Sequence, residues 1–427
     1  MTALPGEFTN EMRRLLGDER FERYLKAFEE EPPVSIRLNP KKCGTWTVEH
    51  GHPVPWCQNG YYLDHRPNFT MDPLLHAGCY YVQEASSMFL DHALKSSLST
   101  LHVSPAAALD LCAAPGGKST LLRAALPESC TLVSNEPVSN RAQVLAENVA
   151  KWGYTGHTVT NLYPQAVRKS KQHFDLILCD VPCSGEGMFR KDPATISQWS
   201  LRNVEKCQQL QREIVAEAWR MLNDGGILIY STCTFNTKEN EENVQYFMQT
   251  LGAEVLPVPT EAAWNITGSL LPGFEEPVYR FIPGLSRGEG LFMCVLHKGR
   301  NTVYSEREYD VIRAGIQRNP RQNTMYSAPE YKQKELPSTA EVLSVAFDRT
   351  RYPEAQLDYQ QAIAYLRREA LQLPADTPRG PVVVTFMGQP LGMVKNIGSR
   401  ANNLYPKEWK IKTTHIPQTY EAILRHT

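Results

Sequence analysis

The chain has 427 residues, and its 45 Lys and Arg nearly balance its 46 Asp and Glu, which gives a formal net charge of −1 at pH 7. This balance excludes a uniformly basic surface of the kind that coats nucleic acid, although a neutral total can hide a local basic patch. A chain of this length can bury a large core and predicts a globular protein of about two to four domains.

The ten cysteines predict free thiols rather than a disulfide framework, because several of them fall inside apolar, strand-like runs of a long chain. No pair has CxxC spacing, and Cys179 with Cys183 has no second pair to complete a zinc site, so no metal is predicted. The amino terminus is charged throughout, and no apolar run reaches membrane length. These features predict a cytoplasmic protein with neither a signal peptide nor a membrane partner.

Residues 1–100 are predicted to form a small α+β domain. Apolar residues recur at helical spacing over 7–30 and are interrupted once by a Gly-Asp break, which predicts two short helices. A strand is predicted over 33–40, where Arg37 and Asn39 alternate with apolar neighbours and are therefore expected on its polar face.

Strand and helix patterns alternate over residues 101–298. The stretches predicted as strands are residues 108–112, 131–135, 157–160, 174–179, 226–230 and 291–296, and the principal helices are predicted over 138–152 and 201–222. This alternation predicts the α/β class, with a doubly wound, mostly parallel Rossmann-like sheet and helices on both faces.

The last part of the chain is predicted to be separate from the α/β domain. Residues 299–377 are interpreted as a polar linker and a small helical or mixed domain, with one regular helix over 358–371. A hairpin over 381–398 and a further strand over 405–414 predict a β-rich terminal domain spanning 378–427. This terminal domain is basic. Its only acids are Glu408 and Glu421, and its cations are Arg379, Lys395, Arg400, Lys407, Lys410, Lys412 and Arg425.

The stretch from Ala108 to Leu122 is the strongest functional signal in the chain. A short apolar strand breaks there into a loop of small residues and restarts as a helix, so the backbone can come close to a ligand. In a doubly wound sheet the first turn from strand to helix lies at the switch point of the strand order, where ligands bind. The loop predicted to bind a cofactor consists of Cys112, Ala113, Ala114, Pro115, Gly116, Gly117 and Lys118.

Glu136 follows the second predicted strand, twenty residues after Gly116. A carboxylate in this position is placed to accept both hydrogen bonds of a ribose diol, although an acid here also suits the start of the next helix. The loop lacks the GxGxxG pattern and contains Pro115, which disfavours a dinucleotide such as NAD. A nucleoside without a diphosphate, S-adenosylmethionine, fits these residues better.

Two cysteines follow two successive predicted strands. Cys183 comes just after Asp180 at the end of the fourth strand, and Cys233 follows the fifth. If these strands are neighbours, their carboxyl ends lie about 5 Å apart and both thiols open onto one cleft. A thiolate adds readily to carbon 6 of a cytosine and makes carbon 5 nucleophilic, while Asp180 could hydrogen-bond to N3 or the 4-amino group and the second thiol could assist release. Either cysteine alone is equally well explained as an inert buried thiol.

Three motifs at these positions carry a family resemblance. CAAPGGK (Cys112–Lys118), DVPCSGEG (Asp180–Gly187) and STCTFN (Ser231–Asn236) resemble three signatures of the Nol/Nop/Sun family of RNA 5-methylcytosine methyltransferases. RLNP, VQEASSM, FRKDP and the terminal GMVKNIGSRANNLYPKEWKI further resemble its RsmF-type bacterial branch, which modifies 16S ribosomal RNA and ends in a PUA-like domain. The resemblance implies RNA-binding domains at both ends of the chain.

The resemblance also implies roles for individual residues. By position, the family's site for the methionine and adenosine parts of S-adenosylmethionine falls on the loop 112–118, its ribose acid on Glu136 and its cofactor-side aspartate on Asp180. The family's attacking thiol falls on Cys233, and the thiol that releases the product falls on Cys183.

One position departs from the family's pattern. Asn161 stands where many members have an aspartate that contacts the adenine amine, and its amide oxygen can still accept that hydrogen bond. Arg190 and Lys191 of the FRKDP motif are candidate contacts to RNA phosphates, although such charges on a loop are more often only solvated.

These features together predict a monomeric S-adenosylmethionine-dependent RNA cytosine-C5 methyltransferase whose partner is ribosomal RNA. Two alternatives stay open. The first is the same chemistry on transfer RNA, because the catalytic motifs do not name the substrate. The second is an RNA-binding assembly factor with an idle methyltransferase fold, against which the complete set of loop, acids and thiols argues.

Overall fold

The computed structural model of the chain describes residues 4–300, 324–326, 336–413 and 415–426. The polar linker predicted from residue 299 onward lies mostly outside these ranges. Within the described ranges, every helix is too short or too polar to cross a lipid bilayer.

The amino-terminal unit combines short helices with a four-stranded antiparallel sheet. Its helices are α1 (Gly6–Leu16), α2 (Asp18–Lys26), α3 (Pro40–Cys43), α4 (Pro73–His76) and α5 (Phe89–Leu101). Its strands are β1 (Val34–Leu38), β2 (Trp46–Val48), β3 (Gly51–Val54), β4 (Cys57–Leu63) and β5 (Tyr80–Val82). The sheet has the order β3-β4-β1-β5, and the predicted pair of helices and the predicted strand are confirmed.

Helices α1 and α2 pack through aromatic side chains on the central unit. The ring of Phe8 in α1 meets the rings of Phe189 and Trp199 edge to face, with centroids 4.9 and 5.6 Å apart. The ring of Tyr24 in α2 meets Phe235 at 5.7 Å. Aromatic pairs of this kind contribute about 0.5–1.5 kcal/mol each beyond the burial of area, so these contacts fix both helices against the central unit.

Arg37 of β1 and Asn39, which follows the strand, are buried, and the prediction that they form a polar face is wrong. Arg37 is 2% exposed and donates to Gln83 Oε1 and to Thr120 Oγ1, both at 2.7 Å. Its guanidinium also lies over the Trp152 ring, 4.4 Å from the centroid. The Asn39 amide donates to the carbonyl oxygen of Trp152 at 2.9 Å. These side chains therefore fasten the amino-terminal sheet to the central unit.

The central unit is a nine-stranded sheet with helices on both faces. Its strands are β6 (Ala107–Asp110), β7 (Thr131–Asn135), β8 (His157–Asn161), β9 (Phe174–Asp180), β10 (Leu222–Thr232), β11 (Ala253–Leu256), β12 (Tyr279–Phe281), β13 (Leu291–Lys298) and β14 (Thr324–Tyr326). Its helices are α6 (Gly117–Ala125), α7 (Ser139–Trp152), α8 (Pro164–Lys169), α9 (Leu201–Met221) and α10 (Glu241–Leu251).

The strand order places the first loop at the centre of the sheet. The order is β11-β13-β10-β9-β6-β7-β8-β14, with β12 paired to β13. Strands β10, β9, β6, β7 and β8 are parallel, whereas β11, β12, β13 and β14 join antiparallel. The chain proceeds from β6 outward in both directions, so the carboxyl end of β6 is the switch point. The prediction of a doubly wound, mostly parallel sheet is confirmed.

The sheet is covered by apolar side chains on both faces. Ala108 of β6 lies in one buried cluster with Leu90 of α5 and Leu121 of α6. The next residue, Leu109, lies in a second buried cluster with Val215 of α9. Successive residues of a strand point to opposite faces, so the near-continuous apolar run of β6 follows from its burial on both sides.

The carboxyl-terminal unit has a four-stranded sheet of the order β15-β16-β17-β18. Its strands are β15 (Glu354–Gln356), β16 (Gly380–Phe386), β17 (Gln389–Asn396), β18 (Ala401–Asn403) and β19 (Leu424–His426), and its helices are α11 (Thr339–Val342) and α12 (Tyr359–Leu366). The predicted hairpin is confirmed as β16 and β17. Because β15 belongs to this sheet, the sheet begins upstream of residue 378.

Two other predictions for this unit are wrong. The helix predicted over 358–371 ends at Leu366, and two residues further on Arg368 adopts a left-handed conformation with φ 63°. The strand predicted over 405–414 is not formed by its described residues, which include Pro406 without an N–H, and the Ile411 N–H instead bonds to the Leu366 carbonyl at 3.1 Å.

The amino-terminal and carboxyl-terminal units share one core. Strand β19 pairs antiparallel with β2, where Leu424 lies opposite Val48. Ile36 of β1, Ile363 of α12 and Val384 of β16 belong to one buried cluster with Leu424. Removing the terminal strands would therefore open the core of the amino-terminal unit as well.

Candidate active site

The predicted cofactor loop connects β6 to α6 at the switch point. Gly116 has φ 114°, a conformation that favours glycine, and a Cβ added to it would lie 3.1 Å from Leu145 Cδ1 of α7. The Ala113 N–H donates to the Asn135 carbonyl at 2.8 Å, which holds the loop beside the end of β7. In the loop Ala113, Ala114 and Gly116 are buried, Cys112, Gly117 and Lys118 are half-buried, and Pro115 is exposed.

Asp110 at the end of β6 is a site residue that the sequence analysis did not single out. Its side chain is fully buried, and its Oδ2 accepts a hydrogen bond from Ser119 Oγ at 2.6 Å. Its Oδ1 has no hydrogen-bond partner among the described residues. Burial raises the pKa of Asp110 to about 7. The available signal was its place at the strand end, directly before the loop.

Lys118 and Asp180 form an ion pair across the carboxyl ends of β6 and β9. Lys118 Nζ lies 2.9 Å from Asp180 Oδ2, and the other carboxylate oxygen accepts a hydrogen bond from Ser231 Oγ of β10 at 2.6 Å. The side chains of Lys118 and Asp180 are 15% and 31% exposed. Helix α6 and the neighbouring strands β9 and β10 thus bring one group each to the same partly open position.

Glu136 and Asn161 lie together at the ends of β7 and β8. Glu136 is 1% exposed, its Oε1 accepts from the Val138 N–H at 2.9 Å, and its Oε2 lies 3.5 Å from a guanidinium nitrogen of Arg141. The Asn161 amide donates to the Glu136 main-chain carbonyl at 2.6 Å. The Glu136 carboxylate therefore stabilises the turn into α7 with one oxygen, which is the helix-start role that the sequence left open beside ribose binding.

The two thiols meet at the ends of β9 and β10. These strands are parallel neighbours, with Asp180 opposite Ser231. Cys183 Sγ and Cys233 Sγ are 3.2 Å apart, and the Cys233 N–H donates to Cys183 Sγ at 3.4 Å. The contact with Cys233 and burial raise the pKa of Cys183 well above its usual range. A raised pKa favours the protonated form of the Cys183 thiol.

The two basic residues of the FRKDP motif differ in environment. Arg190 forms an ion pair with Glu289 in which both side chains are almost fully buried, and it donates to the Ala27 carbonyl at 2.9 Å. The prediction that Arg190 contacts phosphate is therefore wrong, because its guanidinium already has protein partners. Lys191 is exposed.

A doubly wound sheet with a loop of small residues at its switch point is typical of Rossmann-like nucleotide-binding folds, a class that includes the Rossmann-like methyltransferases. Three family models match the chain: 16S rRNA methyltransferase RsmB/F over residues 101–297, the N-terminal domain of 16S rRNA methyltransferase RsmF over 4–85, and the methyltransferase RsmF PUA domain over 352–411. Ribosomal RNA small subunit methyltransferase F of Shigella dysenteriae serotype 1 is 30% identical over 95% of this chain and 96% of its own length. The chain belongs to the RsmF family of 16S ribosomal RNA methyltransferases.

Solved structures share the fold. A methyltransferase homolog protein from Pyrococcus horikoshii is 25% identical, with a TM-score of 0.57 over 68% of this chain and 94% of its own. NSun6 from Pyrococcus horikoshii, solved with SFG, is 19% identical, with a TM-score of 0.56 over 70% of this chain and 99% of its own. The second likeness supports the architecture only.

Proposed function

We propose that this protein is an S-adenosylmethionine-dependent RNA cytosine-C5 methyltransferase that modifies a cytosine of 16S ribosomal RNA and acts as a monomer. The observation that carries the proposal is the 3.2 Å contact between Cys183 Sγ and Cys233 Sγ at two neighbouring strand ends. A lone buried thiol would serve as core packing. Two thiols in contact, beside the Lys118–Asp180 ion pair, fit a reaction that needs one nucleophile and one group that holds a proton.

The residues around the switch point fit S-adenosylmethionine. The backbone at Gly116 has a conformation that favours glycine and would bring a side chain tightly against Leu145, and Asp110 keeps a buried carboxyl oxygen without a partner among the described residues. A buried carboxylate follows at the end of the next strand. In the proposal the cofactor is held by Cys112, Ala113, Ala114, Pro115, Gly116, Gly117, Lys118, Glu136, Asn161 and Asp180. When bound, it supplies the methyl group.

Replacing Glu136 by alanine is expected to weaken S-adenosylmethionine binding by about 1–3 kcal/mol, because the partners of a buried carboxylate are left unpaired. Isothermal calorimetry without RNA measures the change. Glu136→Gln separates the two roles of the side chain, since it keeps one oxygen for the Val138 N–H and lacks the second for a ribose hydroxyl. Ribose binding predicts that the Gln variant is also weakened, whereas wild-type affinity in that variant would leave Glu136 only its turn-stabilising role.

Cys233 provides the electron pair for the first step. After the thiol has given its proton to solvent, its sulfur forms a bond to carbon 6 of the cytosine, and the ring electrons move through carbon 5 toward N3, which makes carbon 5 nucleophilic. Asp180, held between Lys118 and Ser231, is placed to accept a hydrogen bond from the 4-amino group or, when protonated, to donate to N3. The family resemblance assigns the attack to Cys233, and the raised pKa of Cys183 fits a thiol that holds its proton for the release step.

Release needs two bonds to break after carbon 5 has received its methyl group. The bond from carbon 6 to sulfur breaks as the electron pair of the C5–H bond restores the ring double bond. Cys183 gives its thiol proton to the departing Cys233 sulfur, and the Cys183 thiolate so formed takes the proton from carbon 5. Both cysteines end as thiols, and the proton that Cys233 gave to solvent before its attack is the one proton that the overall methyl transfer releases.

Affinity for RNA is assigned to the basic carboxyl-terminal unit. The seven cationic side chains noted between Arg379 and Arg425 are all exposed. Arg379 lies beside the turn that joins β17 to β18, because a Cβ on Gly398 would lie 2.9 Å from its Nε. Arg400 ends the same turn and is exposed. These two arginines thus form one cationic edge.

The double variant Arg379→Gln and Arg400→Gln is expected to flatten the salt dependence of RNA binding. The slope of log affinity against log salt concentration should become shallower by about 0.7–0.9 for each RNA phosphate that the protein no longer neutralises. Binding titrations at several salt concentrations measure the slope. The matched control is Lys169→Gln with Lys171→Gln, two exposed cations beyond β8. Equal slopes for the two double variants would remove this edge from the RNA interface. Substitution is preferred to deletion of 378–427 because deletion would open the shared core.

Bisulfite sequencing of total RNA from a strain that lacks the gene tests the proposed reaction and substrate together. One cytosine of the small-subunit RNA is expected to lose its 5-methyl mark and to regain it on complementation with the wild-type gene. A mark lost only from transfer RNA would favour the transfer RNA enzyme. No lost mark would favour the idle assembly factor and contradict the proposal.

A further inference from the structure

Two loops carry the thiols, and these loops contact each other through their backbones. The Cys183 loop comprises residues 181–188 after β9, and the Cys233 loop comprises residues 233–240 after β10. The Gly187 N–H donates to the Cys233 carbonyl at 2.8 Å. A Cβ on Gly187 would lie 2.9 Å from that carbonyl oxygen and 2.6 Å from Gly290 Cα. The two loops are therefore in backbone contact at Gly187, where there is no room for a side chain.

Glu186 of the Cys183 loop binds the backbone of the Cys233 loop. Glu186 is only 2% exposed. Its Oε2 accepts hydrogen bonds from the main-chain N–H groups of Phe235 at 2.7 Å and Asn236 at 3.0 Å. Its Oε1 accepts from Asn236 Nδ2 and from Trp199 Nε1, both at 3.0 Å. Three of its four hydrogen bonds thus come from the loop that carries the other thiol.

Glu239 of the Cys233 loop makes the reverse connection. It is fully buried, and its Oε2 accepts the main-chain N–H of Ser184, the residue after Cys183, at 3.0 Å. The same oxygen accepts from Gln211 Nε2 at 2.7 Å, and Oε1 accepts from Asn236 Nδ2 at 2.8 Å. Each thiol loop is therefore held by a carboxylate that belongs to the opposite loop.

We propose that Glu186 and Glu239 are positioning residues that form a reciprocal clamp, which fixes the separation of the Cys183 and Cys233 sulfurs. They act through backbone N–H groups one residue after Cys183 and two and three residues after Cys233. The clamp sets whether Cys183 can reach the sulfur of Cys233. Its consequence for release of the RNA adduct rests on the proposed function, whereas its effect on the distance between the thiols does not.

The clamp requires carboxylates and not merely polar side chains. Both oxygens of Glu186 face N–H donors, so a glutamine there would turn its NH₂ group toward two donors in either orientation. The same conflict arises at Glu239, whose two oxygens also face only donors. Hydrogen bonds to an ionised acceptor are shorter and stronger than neutral ones. Burial raises the pKa of Glu239 to about 7, so this side of the clamp is strongest above neutral pH.

Cross-linking of the thiols by dibromobimane measures the clamp without RNA or cofactor. The reagent becomes fluorescent when both of its arms have reacted, and peptide mapping identifies the bridged pair as Cys183 and Cys233. Glu186→Gln and Glu239→Gln are each expected to slow this cross-link about tenfold. Each variant leaves buried N–H groups of the opposite loop without an acceptor, and that loop is then no longer held in place. Cys183→Ser provides the blank. Glu205→Gln is the matched control, since Glu205 is an exposed carboxylate that pairs with Lys238 of the Cys233 loop and should leave the rate unchanged.

Variants that are folded by circular dichroism and cross-link at the wild-type rate would overturn the clamp. If the Gln variant does not fold, Glu186→Asp decides the question. This variant keeps the carboxylate but shortens the side chain by one methylene group, and its cross-linking rate is expected to lie between those of the wild type and a released loop. On RNA, Glu186→Gln should lower kcat, leave the KM for S-adenosylmethionine unchanged and prolong the covalent adduct. If the cross-link slows but no variant forms an adduct, the clamp stands and the proposed cytosine chemistry fails.

Discussion

Cys183→Ala is expected to accumulate a protein–RNA complex that survives denaturation, on natural RNA with S-adenosylmethionine, whereas Cys233→Ala is expected to form none. Cys183→Ala keeps the sulfur that adds to carbon 6 and removes the thiol that lies 3.2 Å from it and assists release. Cys233→Ala removes the attacking sulfur itself. Loss of the acid–base thiol is expected to slow turnover about 10²–10⁴-fold, and loss of the nucleophile should slow it at least as much.

A denaturing gel with labelled RNA separates the two variants. Cys207→Ala is the control, because Cys207 is another half-buried thiol of the central unit and should behave like the wild type. A slow band from Cys233→Ala and none from Cys183→Ala would mean that the two roles are reversed. Release of the adduct by Cys183→Ala at the wild-type rate would show that the second thiol has no part in the reaction.

Arg280→Met is expected to lower the free energy of unfolding by about 3–5 kcal/mol, because it leaves the carboxylate of Glu241 buried without its countercharge. The pair lies just behind the Cys233 loop, with Glu241 at the start of α10 and Arg280 on β12. Both side chains are fully buried, and the guanidinium lies 2.7 Å from Glu241 Oε2. The other oxygen of Glu241 accepts the Leu270 N–H at 2.7 Å.

Urea-induced unfolding measures this loss of stability. Lys238→Met is the control, because its ion pair with Glu205 is exposed and should contribute less than about 1 kcal/mol. The double variant Arg280→Met with Glu241→Leu is expected to recover much of the loss, since it removes the stranded charge together with its partner. A single variant no less stable than the control would show that water reaches Glu241 and solvates it.

The central sheet could be predicted from the sequence because its signals are local. The strand predicted over 131–135 coincides with β7, and the small residues of 112–118 mark the turn at the switch point. The contact between Cys183 and Cys233 followed from one topological assumption, that β9 and β10 are neighbours, which the structure bears out.

The remaining features depend on partners that lie far away in the sequence. Arg37 reads as the polar face of a strand, yet its hydrogen-bond acceptors are supplied by Gln83 and by Thr120 of α6. The end of the chain was assigned to its own domain, whereas β19 pairs with β2 near the start. Periodicity reports which face of an element is apolar, and it carries no information on which distant element covers that face.

The same limit applies within the candidate site. Glu186 stands inside a recognised motif, but its role depends on N–H groups of Phe235 and Asn236, some fifty residues further along the chain. The sequence indicates that Asp110 lies at the end of a strand. What distinguishes it from an ordinary strand end is a buried carboxyl oxygen that has no partner among the described residues. Burial and hydrogen-bond satisfaction are properties of the packed chain, so these residues needed the structure.

The most direct test of the account is to map the covalent adduct of the wild-type protein on RNA that contains 5-fluorocytosine. Fluorine at carbon 5 prevents the proton loss that release requires, so the adduct should be trapped after methyl transfer. Mass spectrometry of the digested complex is expected to find the methylated fluorinated nucleotide on the peptide that contains Cys233. A nucleotide on the Cys183 peptide, or methylated RNA without any adduct, would contradict attack by Cys233.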